Sequence, residues 1–592
     1  MHQFISRLIE RNLEFLEDDD LAEKADVRSS LTTLAVAQNA LQRLSLVDTS
    51  RHDTDKVDSE NYVPLQIVVA GPTQVGKSTL TNLLLQKPMA ESSAQAGFTV
   101  HCQGFHLTER VQDRYAAPEH WAREYFGELQ LSSQDQLDRQ VLGEYSLQET
   151  EAGSSPFKET VIWDTPDFDS IRSFDYRAPL VKAIALADLI VFVVSKEKYA
   201  DKTVWVMLEL LAILKVPVVV VMNKTPESVR GELKASLVNK FKAALPQSAL
   251  PPICFIGEYS SPDISAVRSE EFSELQQLVN THLLRAEPEV IKDNTLGFIK
   301  AHWSGWTNSV VAEHRLKREY TTLVEKTASQ TIQRYQTEYI DSDRHREVIQ
   351  LALSELLVLL EVPGMAKPLG KIRSVVTWPV RTLMNKTKQA SPVSSDDRNE
   401  EQRLLDEIGK HATATLKASV AKKESGPDSV WWQKVRQEID ATEAEIHSSY
   451  NKSLDNYQTL LQVEIDRAAQ SLYQKLEEQP ATLNGLRAAR VTTDAAAVVL
   501  AVKSGGLGAV DLVLAPAMLS LTTFLTEGAL GKYMDRVQKS LTAYQEKEVQ
   551  SLIDRKITRP LLKLGSNRVV SNKFISEEDL QRMTDRLEAG DV

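Results

Sequence analysis

Cysteine is scarce in this chain, which has only Cys102 and Cys254 among its 592 residues. Two cysteines cannot build a disulfide framework, and their scarcity suits a reducing compartment such as the cytosol. The amino-terminal residues also lack the basic start, apolar core and small-residue cleavage site of a secretory signal. We therefore expect a cytoplasmic protein.

Basic charge is also in deficit, since 69 lysines and arginines stand against 82 aspartates and glutamates, a net charge of −13. Neutralising nucleic-acid phosphates needs a clustered basic surface, so this balance argues against a general nucleic-acid binder. Hydrophobic residues nevertheless make up 42% of the chain, which is enough for real cores. The length predicts three or four domains.

The spacing of apolar residues divides the chain into three segments. Residues 1–61 are predicted to form an amino-terminal helical segment that ends in a polar connector. The leucines that recur there at helical spacing are Leu31, Leu34, Leu41 and Leu44. Residues 62–285 alternate short β-branched runs with helical stretches, and residues 286–592 show only helical periodicity.

The alternating segment predicts an α/β domain with a doubly wound, mostly parallel sheet, followed by a long all-α helical stalk or bundle. Each predicted strand is a nearly continuous apolar run, as expected for a strand that helices cover on both faces. These strands are residues 65–70, 160–163, 189–194, 216–222 and 253–256. The long stretch 115–156 is expected to be an insertion.

A phosphate-binding loop stands directly after the first predicted strand. Residues 71–78 read Gly-Pro-Thr-Gln-Val-Gly-Lys-Ser and precede a helical run, so backbone N–H groups of the turn and of the helix start can face an anion. Lys77 is expected to reach the β- and γ-phosphates, and Ser78 to ligate Mg²⁺. The nucleotide-binding residues predicted in this loop are Gly71, Gln74, Val75, Gly76, Lys77, Ser78 and Thr79.

Three further motifs narrow the choice among nucleotide enzymes. The second strand ends in Asp164-Thr-Pro-Asp167, where a P-loop enzyme places an aspartate that holds Mg²⁺ through water, so Asp164 is the predicted metal-associated carboxylate and Ser78 the direct ligand. Thr99, about twenty residues after Ser78, is the candidate switch threonine that senses the γ-phosphate and completes the Mg²⁺ shell; a plain strand residue is the alternative. Asn223-Lys224 follows a strand and suggests recognition of the base.

Together these motifs resemble the GTPases of the Era-like and dynamin-like group over about residues 62–260. The resemblance implies that Lys77 and Ser78 hold phosphate and Mg²⁺, that Thr99 and Asp164 act as switches, and that Asn223 and Lys224 bind guanine. It also implies a nucleotide-dependent homodimer or larger oligomer, as in bacterial dynamin-like proteins.

The chain departs from this family at several positions. Asp167 replaces the glycine whose backbone N–H meets the γ-phosphate, although the N–H of Asp167 can still serve. Pro226 stands where the family has the aspartate that reads guanine, and proline offers no carboxylate for that contact. The resemblance makes GTP the expected substrate, but ATP is not excluded. Small signalling GTPases have a catalytic glutamine where this chain has Phe168, but the Era-like and dynamin-like groups resemble this chain in having an apolar residue there. Gln74 is therefore the candidate catalytic side chain beside Lys77 and Thr99.

Two segments of the helical half suit a membrane surface. Residues 494–526 form an apolar hairpin around a Gly-Gly turn, too short for a confident spanning helix; it can dip into one leaflet or be a buried hairpin of a soluble bundle. Residues 365–388 carry six basic residues, no acidic residue and Trp378, which suits an anionic membrane or, alternatively, an acidic face of this same protein.

The sequence therefore predicts a dynamin-like GTPase that couples its nucleotide state to membrane association or remodelling, peripheral at the inner face of the cell membrane. One alternative is a soluble regulatory or assembly GTPase with a buried apolar hairpin. Another is a nucleotide-binding scaffold that hardly hydrolyses.

Overall fold

The computed structural model describes residues 1–17, 24–49, 63–90, 99–109, 119–137, 141, 143–153, 155–168, 177–258, 269–284, 287–343, 345–346, 349–350, 352–353, 357, 400–426, 428–478, 480, 483–484, 531–566 and 574–591. The chain folds into two compact units, the first of residues 1–312 and 571–592, the second of residues 313–570. The domain boundaries drawn from the sequence stay predictions.

The first unit is built on an eight-stranded sheet with the strand order β3-β4-β2-β5-β1-β6-β7-β8. Among the described strand pairs only β2 with β5 is antiparallel, and the others are parallel. The strands are β1 (Leu65–Ala70), β2 (Cys102–Thr108), β3 (Gln130–Leu131), β4 (Glu144–Glu151), β5 (Thr160–Asp164), β6 (Leu189–Ser195), β7 (Val218–Asn223) and β8 (Ile253–Phe255). The predicted fold class is confirmed.

The five strands predicted from apolar runs are all present, with ends that shift by no more than two residues. Strands β2, β3 and β4 were not predicted, because none of them is an apolar run. In β4, polar residues dominate the sequence; its first three positions, which include Tyr145, are buried, and most of the others are partly or fully exposed. Two of these strands come from the predicted insertion, which therefore extends the sheet on the β2 side.

Helices cover both faces of this sheet and form two apolar cores. Apolar residues of α3 and α8 pack on one face, and those of α2, α4, α5, α6 and α7 contribute to the core on the other. The helices are α1 (His2–Glu17), α2 (Lys24–Thr49), α3 (Lys77–Leu85), α4 (Glu119–Phe126), α5 (Arg177–Leu186), α6 (Lys202–Leu214), α7 (Arg230–Ala244), α8 (Ser269–His282) and α9 (Pro288–Tyr335). The continuous cover explains why the central strands are apolar throughout.

The amino-terminal and carboxyl-terminal helices meet within the first unit. Helix α14 (Glu577–Ala589) lies near α1, since Arg7 Nη1 is 3.1 Å from Asp579 Oδ2. The Trp303 indole donates to Thr584 Oγ1 at 3.1 Å. These contacts join α14, at one end of the chain, to α1, at the other end, and to α9.

The second unit consists, among its described residues, of helices packed around two apolar cores. They are the end of α9, α10 (Glu400–Ala421), α11 (Ser429–Glu477), α12 (Gly531–Ile553) and α13 (Arg559–Ser566), with π-helical turns at Gln336–Ile340 and Asp554–Thr558. None of the described helices has the length and apolar character needed to span a bilayer. The predicted membrane segments 365–388 and 494–526 lie outside the described residues.

Candidate nucleotide site

The phosphate-binding loop follows β1 and requires glycine at two points. A Cβ on Gly71 would meet the carbonyl oxygen of Val193 at 2.3 Å. Gly76 has φ +90°, and a Cβ there would meet Asn223 Nδ2 at 2.5 Å. The loop therefore turns tightly against β6 and β7, and α3 begins directly after it at Lys77. Its predicted geometry, with a strand before it and a helix after it, is present.

The three predicted metal-site residues lie together. The Ser78 hydroxyl donates to Asp164 Oδ2 at 2.6 Å and lies 3.4 Å from the hydroxyl of Thr99. Asp164 is buried, and its Oδ1 has no hydrogen-bond partner among the described residues. Burial raises the pKa of Asp164 to about 6, although the Ser78 hydroxyl and the Lys77 ammonium oppose that shift.

This oxygen set fits Mg²⁺, which prefers a few hydroxyl and carboxylate oxygens together with water and phosphate. Ser78, Thr99 and Asp164 are the residues that can hold it. A cation at this point would stabilise the buried Asp164 carboxylate, because its positive charge would add to that of Lys77.

Lys77 is buried at the start of α3 and has two partners. Its ammonium forms an ion pair with Asp167 Oδ1 and donates to the carbonyl oxygen of Pro72 at 3.2 Å. Only 5% of the Lys77 side chain and 9% of the Asp167 side chain are exposed, so the pair lies largely away from bulk water. The side chain predicted to hold phosphate is therefore engaged by a carboxylate in this structure.

The predicted base-recognition residues brace the phosphate loop. The amide of Asn223 donates to the carbonyl oxygen of Val75 at 2.8 Å, and the ammonium of Lys224 donates to that of Gln74 at 2.8 Å. Lys224 itself has a left-handed backbone with φ 53°. These contacts bring the end of β7 and the phosphate loop into one site.

Phe168 and the two predicted site residues Gln74 and Thr79 differ in their surroundings. Phe168 is buried and stacks on Phe192 with ring centroids 5.8 Å apart, so it serves the core. Gln74 lies exposed at the tip of the phosphate loop with φ 63°, and Thr79 is exposed on α3. An exposed amide at this tip can approach a bound phosphate chain, which Phe168 cannot do.

An ion pair behind the base-recognition loop was not predicted from the sequence. Arg230 Nη2 lies 2.6 Å from Glu271 Oε1, and Glu271 Oε2 accepts from the backbone N–H of Gly257 at 3.0 Å. Arg230 also donates to the carbonyl oxygen of Thr225 at 3.3 Å. The residues are far apart in sequence and belong to no motif, so only the fold shows that they join the loops after β7 and β8.

Comparison with known proteins agrees with this geometry. A family model described as 50S ribosome-binding GTPase matches residues 66–224. No curated protein matches the chain.

Two solved structures of an oligomerised bacterial dynamin pair, described as providing a mechanism for the long-range sensing and tethering of membranes, are similar to this chain. One is 11% identical with a TM-score of 0.39 and covers 97% of this chain and 96% of its own. The other is 12% identical with a TM-score of 0.27 and covers 77% and 86%. These similarities are too weak to assign a fold or a function. The family model covers residues 66–224, and this segment of the chain, as its motifs predict, is a P-loop GTPase domain.

Proposed function

We propose that this chain binds GTP with Mg²⁺ and hydrolyses it slowly, as a switch of the dynamin-like type. The observation that carries the proposal is that Lys77, Ser78, Thr99 and Asp164 lie close together at the phosphate loop. Asn223 and Lys224 hold the same loop by hydrogen bonds to its backbone. These side chains come from four separate parts of the sequence, and a nucleotide site accounts for all of them.

Each residue has a distinct role in the proposed reaction. Lys77 neutralises charge on the terminal phosphates, and the N–H groups at the start of α3 orient them. Mg²⁺, held by Ser78, Thr99 and Asp164, would neutralise charge between the β- and γ-phosphates. Because phosphoryl transfer depends mainly on positioning and electrostatics, these groups can support turnover without a glutamine at position 168.

We expect slow turnover because the residue at position 168 is phenylalanine and cannot orient the attacking water as a glutamine would. Phe168 packs into the core, which leaves the exposed amide of Gln74 as the polar side chain we assign to this task. We propose that a second copy of the chain accelerates hydrolysis by placing the Gln74 amide against the attacking water. The same copy would form the nucleotide-dependent dimer.

We also propose that the nucleotide state of this chain is coupled to membrane association. This coupling is supported by the resemblance of the motifs to dynamin-like GTPases and by the basic and apolar character of residues 365–388 and 494–526. A soluble regulatory GTPase with a buried apolar hairpin is the second candidate.

Turnover of GTP and ATP by the purified full-length chain tests the chemistry. We expect Mg²⁺-dependent GTP hydrolysis that Lys77→Ala abolishes and that Lys326→Ala, an exposed lysine of the second unit, leaves unchanged. Equal and negligible hydrolysis by the wild type and Lys77→Ala, with tight nucleotide binding, would favour a scaffold instead.

Flotation of the full-length chain with vesicles tests the membrane coupling. We expect it to float with vesicles that contain anionic phosphatidylserine when a non-hydrolysable GTP analogue is present. A chain that stays at the bottom of the gradient with both anionic and neutral vesicles would be the soluble regulatory GTPase.

A further inference from the structure

Two carboxylates from one loop engage two consecutive residues of the phosphate loop. Asp164, at the end of β5, accepts from the Ser78 hydroxyl, and Asp167, three residues later, pairs with the Lys77 ammonium. Asp164 has an assigned task in binding Mg²⁺. The Asp167 carboxylate has none, because the resemblance to other GTPases concerns only the backbone N–H at this position.

The contact between Lys77 and Asp167 is strong because both groups are buried. Each side chain is less than a tenth exposed, so water screens their attraction little. The only other acceptor for the Lys77 ammonium among its described hydrogen bonds is the carbonyl oxygen of Pro72. Asp167 is thus the chief anionic partner of this ammonium in the structure.

A terminal phosphate needs the same ammonium. It carries negative charge, and next to Lys77 it would also lie next to the carboxylate of Asp167, which repels it. Binding a triphosphate therefore requires the Asp167 carboxylate to leave Lys77, which costs free energy that a neutral residue at this position would not cost.

We propose that the Asp167 side chain competes with the terminal phosphate for Lys77 and thereby sets the affinity of the site for triphosphate over diphosphate. The inference rests on the proposed function, because it assumes that this site binds nucleotide. It assigns a specificity-determining role to a position where the related GTPases carry no side chain.

When a terminal phosphate replaces Asp167 as the partner of Lys77, the turn that carries Asp167 must also change position. Phe168, next to Asp167, is anchored by its stacking on Phe192, and Asp164 is the last residue of β5. Displacement of the Asp167 carboxylate is therefore confined to the short turn between these two fixed points. Arrival of a terminal phosphate changes the conformation of that turn, and its loss lets Asp167 return to Lys77.

Equilibrium binding of fluorescent GDP and of a fluorescent non-hydrolysable GTP analogue to the full-length chain tests this inference. We expect Asp167→Asn to bind the GTP analogue about tenfold more tightly than the wild type, with a smaller gain for GDP. Asp135→Asn, which removes one exposed acidic charge, is the matched control and should change neither affinity. Asp167→Gly, which restores the residue of related GTPases, should show the same gain.

A double-mutant cycle separates competition from general damage. In a Lys77→Ala background, Asp167→Asn should bring no gain for the triphosphate, since the contested ammonium is gone. Asp167→Asn should also lower the melting temperature, because it leaves Lys77 without its charged partner, so that affinity and stability change in opposite directions.

The possible results separate this inference from the proposed function. If the wild type binds nucleotide and neither Asp167 variant binds the GTP analogue more tightly, the competition is overturned and nucleotide binding stands. If only the Asp167 variants bind, the competition is supported in its strongest form. If no variant binds any nucleotide, the proposed function fails and the inference fails with it.

Discussion

Arg230 and Glu271 form an ion pair of 2.6 Å that holds the loops after β7 and β8 together. Glu271 also accepts from the backbone N–H of Gly257, and Arg230 donates to the carbonyl oxygen of Thr225. The two loops meet directly as well, because the Thr225 N–H donates to the carbonyl oxygen of Ile256 at 2.9 Å. In open α/β sheets such loops, at the carboxyl ends of the strands, surround the ligand.

Removing the charge of Glu271 should weaken nucleotide binding, because the loops proposed to contact the base are then held less firmly. We expect Glu271→Gln to raise the Kd for GDP about tenfold, because a buried charge-assisted contact is lost and both loops loosen. Affinity for inorganic triphosphate, which has no base, should stay unchanged. Both constants are measurable by isothermal titration calorimetry.

Glu270→Gln is the matched control, since Glu270 is the exposed neighbour of Glu271 on the same helix. An equal loss of affinity for GDP and for inorganic triphosphate in Glu271→Gln would show general damage to the site and contradict a role in the base loops.

Gly76→Ala should disable the phosphate loop. The new Cβ would lie 2.5 Å from Asn223 Nδ2, and alanine does not tolerate φ +90° well. We expect a loss of at least about 2 kcal/mol in the free energy of unfolding of the first unit, together with loss of nucleotide binding. Thermal unfolding and nucleotide titration measure the two effects.

Gly231→Ala provides the comparison, because a Cβ there meets nothing within 4 Å and the residue lies in helix α7. It should be neutral or stabilise by up to about 1 kcal/mol. Comparable destabilisation by the two substitutions would mean that the close approach to Asn223 has no importance.

The metal site predicts a specific pattern of Mg²⁺ dependence. Ser78→Ala and Asp164→Asn should each reduce the gain in GDP affinity that Mg²⁺ brings, while affinity in excess EDTA changes little. The reason is that Ser78→Ala removes an oxygen ligand and Asp164→Asn removes the carboxylate charge, while both leave Lys77 in place to bind phosphate. A Mg²⁺ gain equal to that of the wild type in both variants would rule out the assigned ligands.

The sequence was informative where a local pattern carries the structure. The strands around the phosphate loop are apolar runs that the sequence predicts, and the order of the motifs groups Ser78, Thr99 and Asp164, which lie together in the structure. The ion pair of Arg230 with Glu271 depends on two loops meeting in space, and the ion pair of Lys77 with Asp167 depends on the path of one turn. Neither leaves a pattern along the chain, so the sequence alone does not predict them.

A buried carboxylate lies at the centre of the second unit. Glu401, on α10, accepts from the hydroxyls of Tyr335 at 2.7 Å and Tyr457 at 2.8 Å. Gln545, on α12, also donates to it at 3.3 Å and in turn contacts the ring of His345 at 2.8 Å. Helices α9, α10, α11 and α12, together with the helical residue His345, thus share one polar cluster.

Burial raises the pKa of Glu401, and the two tyrosine hydroxyls, Gln458 and the nearby His345 only partly oppose it. A carboxyl group whose pKa is higher in the folded than in the unfolded chain stabilises the fold below the unfolded value and loses that contribution as pH rises through the folded value. The second unit should therefore lose stability from this group as pH increases above the ordinary glutamate range.

Glu401→Gln removes the titration and keeps the shape of the side chain. We expect the free energy of unfolding of the wild type to fall relative to that of Glu401→Gln between about pH 4.5 and neutrality, because only the wild type must bury a developing charge. Urea unfolding followed by the fluorescence of the buried Trp431–Trp432 pair in the same core reports on this unit. Glu407→Gln, a surface substitution on α10, should keep the pH profile of the wild type. Parallel profiles for the wild type and Glu401→Gln would mean that the cluster holds the charged carboxylate without cost.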